Sequence, residues 1–199
     1  MKIKVLIGGG ELSAAHVSNL KNNSQEAKMP GKIYHSLDKG VDPSSDIYNQ
    51  YDKEIAVSTH LFNRQIENGT ASIGDGYTLG DRATPLDVDL VKALAYKESR
   101  LGQGISVSTK ASDIFSMFNI LDYGDKHKMG MTKSDVINGS GAKQSTYWAV
   151  RWLYFKSMIS SDGTCKDFGG WMYAVKRYGP GKKEPKYTET VMKIYKSIK

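Results

Sequence analysis

Apolar positions along this chain recur mainly every three or four residues, the spacing of one face of an α-helix. From Asp46 to about Asn68, Ile47, Tyr51, Ile55, Phe62 and Ile66 keep that spacing, with Ser44 or Ser45 as cap and Gly69 as stop. Gly74, Gly76 and Gly80 among polar residues mark 69–83 as a loop. Thr84, Pro85 and Asp87 then predict a helix start: a hydroxyl cap, proline at the first position, and an acid near the positive end of the dipole. This helix is expected to reach about Ser99. Val91 and Leu94 define its inner face, and Glu98, four residues after Leu94, puts a carboxylate on the same stripe.

Further helices are predicted at Ser112–Leu121, Thr132–Ile137, Ser145–Ile159, Asp167–Tyr178 and Tyr187–Ile198, the last two separated by Gly179-Pro180-Gly181. Strand signals are few, and neither a repeat nor a low-complexity tract is visible. The expected fold class is mainly α, with one helical domain over 46–199. Residues 1–45 read as a weakly structured leader, broken by Pro30-Gly31 and Asp42-Pro43. Gly8-Gly9-Gly10 lacks a following Gly-Lys-Ser/Thr, so it reads as a flexible entry and not as a phosphate loop.

At 199 residues with 39% apolar content the chain can bury a core, and its net charge of +7 favours an anionic partner. No zinc-finger spacing, RNP-like strand or basic heptad helix accompanies that charge, so nucleic acid is not the expected partner. One cysteine excludes an internal disulfide, and four scattered histidines have no ligand spacing, so neither metal nor cofactor is expected. Nothing approaches the roughly 18 apolar residues of a membrane span, and Val5-Leu6-Ile7 is too short for a signal core. Work outside the cytoplasm would then require delivery by a non-classical route.

An ionised Glu on an apolar helix face pairs with a cation, turns outward, or holds its proton near neutrality, and the last state makes a general acid. Glycoside cleavage needs such an acid, because the leaving sugar oxygen is protonated as the C1–O bond breaks. Taken alone, such a Glu98 is more often a helix-end residue pairing with Lys97 or Arg100 in solvent.

The stretch Ala93-Leu94-Ala95-Tyr96-Lys97-Glu98-Ser99-Arg100-Leu101 resembles the Ala-x-x-x-Glu-Ser-Arg-Phe helix end of soluble lytic transglycosylases and goose-type lysozymes. Ser116-Met117-Phe118-Asn119-Ile120 is similar in class and order to their Gly-Leu-Met-Gln-Ile. Ala149-Val150-Arg151-Trp152-Leu153 resembles their Gly-x-x-Tyr-Leu. Ala174 to Tyr178, followed by Gly179 and then Tyr187 to Val191, resembles their Ala-x-x-x-Tyr-Asn-Gly-Gly and closing helix. The four blocks keep the family's order over about 84–198. The family's Gln is shortened to Asn119 here, and the Asn after its Tyr is deleted before Gly179.

This resemblance implies a lysozyme-like domain that cuts the β-1,4 bond between N-acetylmuramic acid and N-acetylglucosamine, with Glu98 as the acid. It also implies substrate contacts at Ser99, Met117, Asn119 and Tyr178. Hydrolysis with inversion needs a second carboxylate, and Asp113, Asp122 and Asp125 are the candidates, Asp122 first because goose-type lysozymes carry an Asp after the segment that Met117–Ile120 resembles. A transglycosylase instead uses one Glu as acid and then as base on the muramoyl C6 hydroxyl. Tyr96, Tyr123, Trp148, Trp171 and Tyr173 are candidate sugar-stacking faces, with Trp148 also at core spacing.

The expected partners are peptidoglycan strands, with a delivery apparatus or an immunity protein besides, and the expected state is a monomer acting in the periplasm or cell wall. Residues 1–80 fit a delivery segment as well as part of a larger protein. Two other classes fit the same residues: a cell-wall-binding or assembly module with a degenerate lysozyme-like fold, and a polyanion binder acting through charge alone.

Overall fold

Among the residues that the computed structural model describes (6–7, 10–11, 27–33, 46–73, 77–78, 83–103, 112–119, 126–160, 165–179 and 185–198), the helical periodicity becomes six α-helices in a mainly helical fold. They are α1 (Asp52–Glu67), α2 (Val88–Ser99), α3 (Lys133–Asn138), α4 (Ala142–Lys156), α5 (Trp171–Tyr178) and α6 (Tyr187–Ser197). Strand structure is confined to three antiparallel two-stranded ribbons: β1 (Leu6–Ile7) with β2 (Gly10–Glu11), β3 (Ser72–Ile73) with β4 (Tyr77–Thr78), and β5 (Met158–Ser160) with β6 (Cys165–Phe168). None of the described helices is long and apolar enough to cross a membrane.

Helix α2 is central, packed on α6 and α1, while α4 packs on α1 and α5, and α5 on α6. Its side chains from Leu90 to Tyr96 are all buried, as expected of a helix enclosed on every side. Edge-on pairs of Tyr48 with Tyr96 and Phe62 with Tyr154 fill the spaces between elements, each with centroids 5.2 Å apart.

Several boundaries differ from the sequence expectation, each for a local reason. Helix α2 begins after Asp87 and not after Thr84; the Asp87 carboxylate accepts the Asp89 N–H at 3.0 Å. Asn63 on α1 holds both the N–H and the C=O of Leu86, at 2.7 and 2.8 Å, which keeps 84–86 extended against α1. The Thr84 carbonyl accepts the Trp171 indole N–H instead. Helix α1 starts at Asp52, after turns over 46–51, and Ser44 and Ser45 lie outside the described residues. Helix α4 runs three residues earlier than expected, and Ile159 falls in β5; Asp167 falls in β6, so α5 starts only at Trp171.

The predicted helix at Ser112–Leu121 does not form over its described part, 112–119, which is a run of turns. Ser112 and Ser116 take left-handed φ values of 59° and 55°, and the Asp113 carboxylate captures the Met117 and Phe118 N–H groups, each at 2.8 Å. A side-chain acceptor has outcompeted the helical ladder. At α3 the same chemistry works in favour of a helix, because Thr132 and Asp135 form a capping box.

Part of the expected leader lies against the domain. Ile33 is in the core, the Gly31 N–H donates to Asp89 at 2.7 Å, and the Gly31 carbonyl accepts from Lys92 at 2.8 Å. Lys92 is fully buried and also meets Asp52 and Asn49, each at 2.6 Å. Burial pushes the Asp52 carboxyl up and the Lys92 ammonium down, outweighing the attraction each gains from the other.

A second polar tie joins the ends of the fold, where the Tyr195 hydroxyl of α6 donates to Asp87 at 2.7 Å. Burial would raise the Asp87 carboxyl, but bonds from Tyr195 and the Asp89 N–H and the Lys28 charge bring it below its usual value. The same bond pushes the Tyr195 phenol up to about 12. Because the folded phenol lies above its unfolded value of 10.0, its stabilisation is full below that value and vanishes as pH rises through about 12. Tyr195→Phe is therefore expected to remove about 1 kcal/mol at neutral pH and to flatten the decline in stability over that alkaline window, measured by urea unfolding at stepped pH.

Candidate active site

Glu98 sits on the last turn of α2, half-buried, where the chain reverses through Arg100 and Leu101 at left-handed φ values of 50° and 53°. Its Oε1 accepts a hydrogen bond from the Tyr187 hydroxyl at the start of α6. The Tyr187 ring is buried, carries the Lys97 ammonium 5.2 Å above its centroid, and passes close to Gly179. A Cβ on Gly179 would stand 2.5 Å from that ring, so glycine is what admits the tyrosine.

The turn segment 112–119 is fastened beside this helix end by groups that sequence patterning treated as site or surface residues. Ser99 is buried; its hydroxyl donates to the Ile114 carbonyl at 2.7 Å and accepts the Gly102 N–H at 2.9 Å. It therefore bolts the turns to α2, and no lone hydroxyl is presented to a ligand. Asp113 is also buried, and besides the two N–H groups it accepts the Ser145 hydroxyl of α4 at 2.6 Å. Ser145 in turn accepts the Phe115 N–H. A carboxylate saturated in this way is scaffold and is not placed to activate water. Lys126, buried as well, donates to the carbonyls of Met117 at 2.9 Å and Ser116 at 3.3 Å.

Met117 is a core side chain whose sulfur accepts the Tyr178 hydroxyl at 3.5 Å, whereas Asn119 is exposed. Burial, followed by the charges of Glu98 and Asp113, pushes the Tyr178 phenol well above its usual value, so it keeps its proton at neutral pH. Glu98, Tyr178, Tyr187, Met117 and Asp113 thus converge from four separate stretches of chain: α2, the turns over 112–119, α5 and α6. Asp122, Tyr123 and Asp125 lie outside the described residues. Trp148 and Tyr96 are buried in the core, while Trp171 packs on Phe168 and Tyr154, and Tyr173 is exposed.

Sequence reasoning missed Tyr187 and Lys126. Tyr187 was visible as the first residue of the closing helix, and nothing local says that its hydroxyl reaches a side chain 89 positions away. Among the described residues no group of three or more His, Cys, Asp or Glu side chains gathers as metal ligands would. No protein-family model, curated protein or solved structure matches this chain.

Proposed function

We propose that this protein is a lysozyme-like glycosidase of the lytic transglycosylase or muramidase type, cleaving the β-1,4 bond of peptidoglycan with Glu98 as general acid. The observation that carries this reading is the half-buried Glu98 carboxyl at the end of a buried helix, with a tyrosine hydroxyl on one oxygen. One oxygen is oriented by the Tyr187 hydroxyl. In its protonated form Glu98 gives its proton to the leaving sugar oxygen as an oxocarbenium-like state develops. The resulting carboxylate then takes a proton, either from the muramoyl C6 hydroxyl, which closes a 1,6-anhydro ring, or from water. Since Asp113 is saturated by hydrogen bonds, a second carboxylate for the water route falls to Asp122 or Asp125. The basic surface suits an anionic wall polymer in the periplasm or cell wall, reached by a delivery apparatus and checked in its own cell by an immunity protein.

Incubating the protein with purified peptidoglycan and resolving the released muropeptides by mass spectrometry tests this. Anhydro ends mean transglycosylation and reducing ends mean hydrolysis; co-sedimentation without products would replace the reading with a binding module. Tyr187→Phe tests the arrangement around the acid. A hydroxyl donating to the ionised carboxyl favours that form, so its removal is expected to lower release about tenfold and to move the basic limb of the pH–activity profile to higher pH. An unchanged profile would remove Tyr187 from the site.

A further inference from the structure

Among the described residues five large apolar side chains are exposed, and three of them stand together: Ile159 at 40%, Met172 at 43% and Tyr173 at 37%. Gly169 brings two of these side by side, because a Cβ on it would lie 2.7 Å from the Tyr173 ring and 2.8 Å from the Ile159 side chain. Met172 is the neighbour of Tyr173 at the start of α5. The outward face of that helix is two adjacent files, Met172 with Lys176 and Tyr173 with Arg177, each apolar in the first turn and basic in the second. Ala174 and Val175 bury the inward face in the core, so the outward files are surface that the fold itself does not use.

Charge accompanies these apolar tips. The last turn of α4, β5, β6 and α5 carry Lys156, Lys166, Lys176 and Arg177 against one acid, Asp167, the cross-strand partner of Ile159. Arg177 donates to the carbonyls of Met158 at 2.6 Å and Lys156 at 3.0 Å, with its guanidinium 5.3 Å from the Tyr173 ring centre. Those partners are neutral, so its charge is fixed beside the ring and remains open to an anion. The three tips expose roughly 250 Å², well below the about 800 Å² per side of a stable protein complex. Met172 and Ile159 also offer no flat face on which a nucleic-acid base could stack. A bilayer demands neither area nor shape, since a few apolar tips enter the headgroup boundary while flanking cations meet anionic headgroups. We propose that the α5–β5 face docks the protein on an anionic lipid surface, with Ile159, Met172 and Tyr173 inserted and Lys176 and Arg177 at the phosphates. Docking of this kind is independent of the chemistry at Glu98.

Sedimentation of the full chain with phosphatidylcholine vesicles containing roughly one-third phosphatidylglycerol, against phosphatidylcholine alone, tests this. Binding to the anionic vesicles is expected, falling as salt rises from about 0.1 to 0.5 M, with little on the neutral ones. Met172→Ser combined with Tyr173→Ser, and separately Lys176→Glu, are each expected to weaken binding about tenfold with the fold intact by circular dichroism, because these side chains are exposed. Lys53→Glu makes the same charge change at an exposed position of α1 and is expected to weaken binding by about twofold at most. Absence of binding, an equal loss in Lys53→Glu, an undiminished double variant or equal binding to neutral vesicles would each overturn the proposal. Retention on heparin that depends on Lys176, without vesicle binding, would assign the face to an acidic macromolecule in place of a lipid surface.

Discussion

Glu98→Gln is expected to cut muropeptide release by roughly 10²–10⁴-fold while leaving circular dichroism and the melting temperature close to those of the parent. The amide keeps the shape of the carboxyl, and its oxygen still accepts the Tyr187 hydroxyl, so the contact between α2 and α6 survives. What disappears is the transferable proton. The two readouts together separate chemistry from folding: lost activity with an intact fold assigns the acid, whereas undiminished turnover would move that role to Asp122 or Asp125. A collapse of the fold would mean that Glu98 is structural, and the glycosidase reading would lose its support.

The largest stability effect is expected at Lys92. Its ammonium is fully buried between Asp52, Asn49 and the Gly31 carbonyl, so Lys92→Met strands the Asp52 carboxylate in the core with, among the described residues, the half-exposed Lys32 3.7 Å away as its remaining cation. Breaking a buried pair from one side costs about 3–5 kcal/mol, which for a chain of this size lowers the melting temperature by roughly 10 °C. Both groups are shifted against their charged forms, which means that burial costs this pair more than its attraction returns. The double variant Lys92→Met with Asp52→Leu should therefore recover most of the loss, whereas Lys92→Met alone should also loosen residues 27–33 to proteolysis. A double-mutant cycle by calorimetry checks the first statement and limited proteolysis the second; additive losses would show that the two groups act independently.

Several features were readable from residue order because they are short-range. The spacing of Val91 and Leu94 predicts α2 and its end near Ser99, and the helix expected over Thr132–Ile137 is α3, since caps and amphipathic faces depend on neighbours three or four positions away. The stretch 112–119 was misread for the opposite reason. Ile114, Met117 and Phe118 are core residues at helical spacing, but the Asp113 carboxylate, anchored by Ser145 more than thirty positions on, takes the N–H groups that a helix would have used. The start of α2 moved for a similar cause, because Asn63 on another helix holds Leu86 extended.

The candidate site divides along the same line. That a carboxylate stands on the apolar stripe of α2 follows from periodicity alone, as does the mainly helical class of the fold, because both are properties of one chain segment and its turn angle. Which groups surround that carboxylate was settled only when α6 packed on α2. Tyr187 rather than Tyr178 reached Glu98, Ser99 and Asp113 were drawn into the fastening of the turns, and Lys92 found its counterion on α1. Hydrogen bonds act over about 3 Å whatever the separation in sequence, so partners 15 to 89 positions apart become neighbours through packing and leave no local mark.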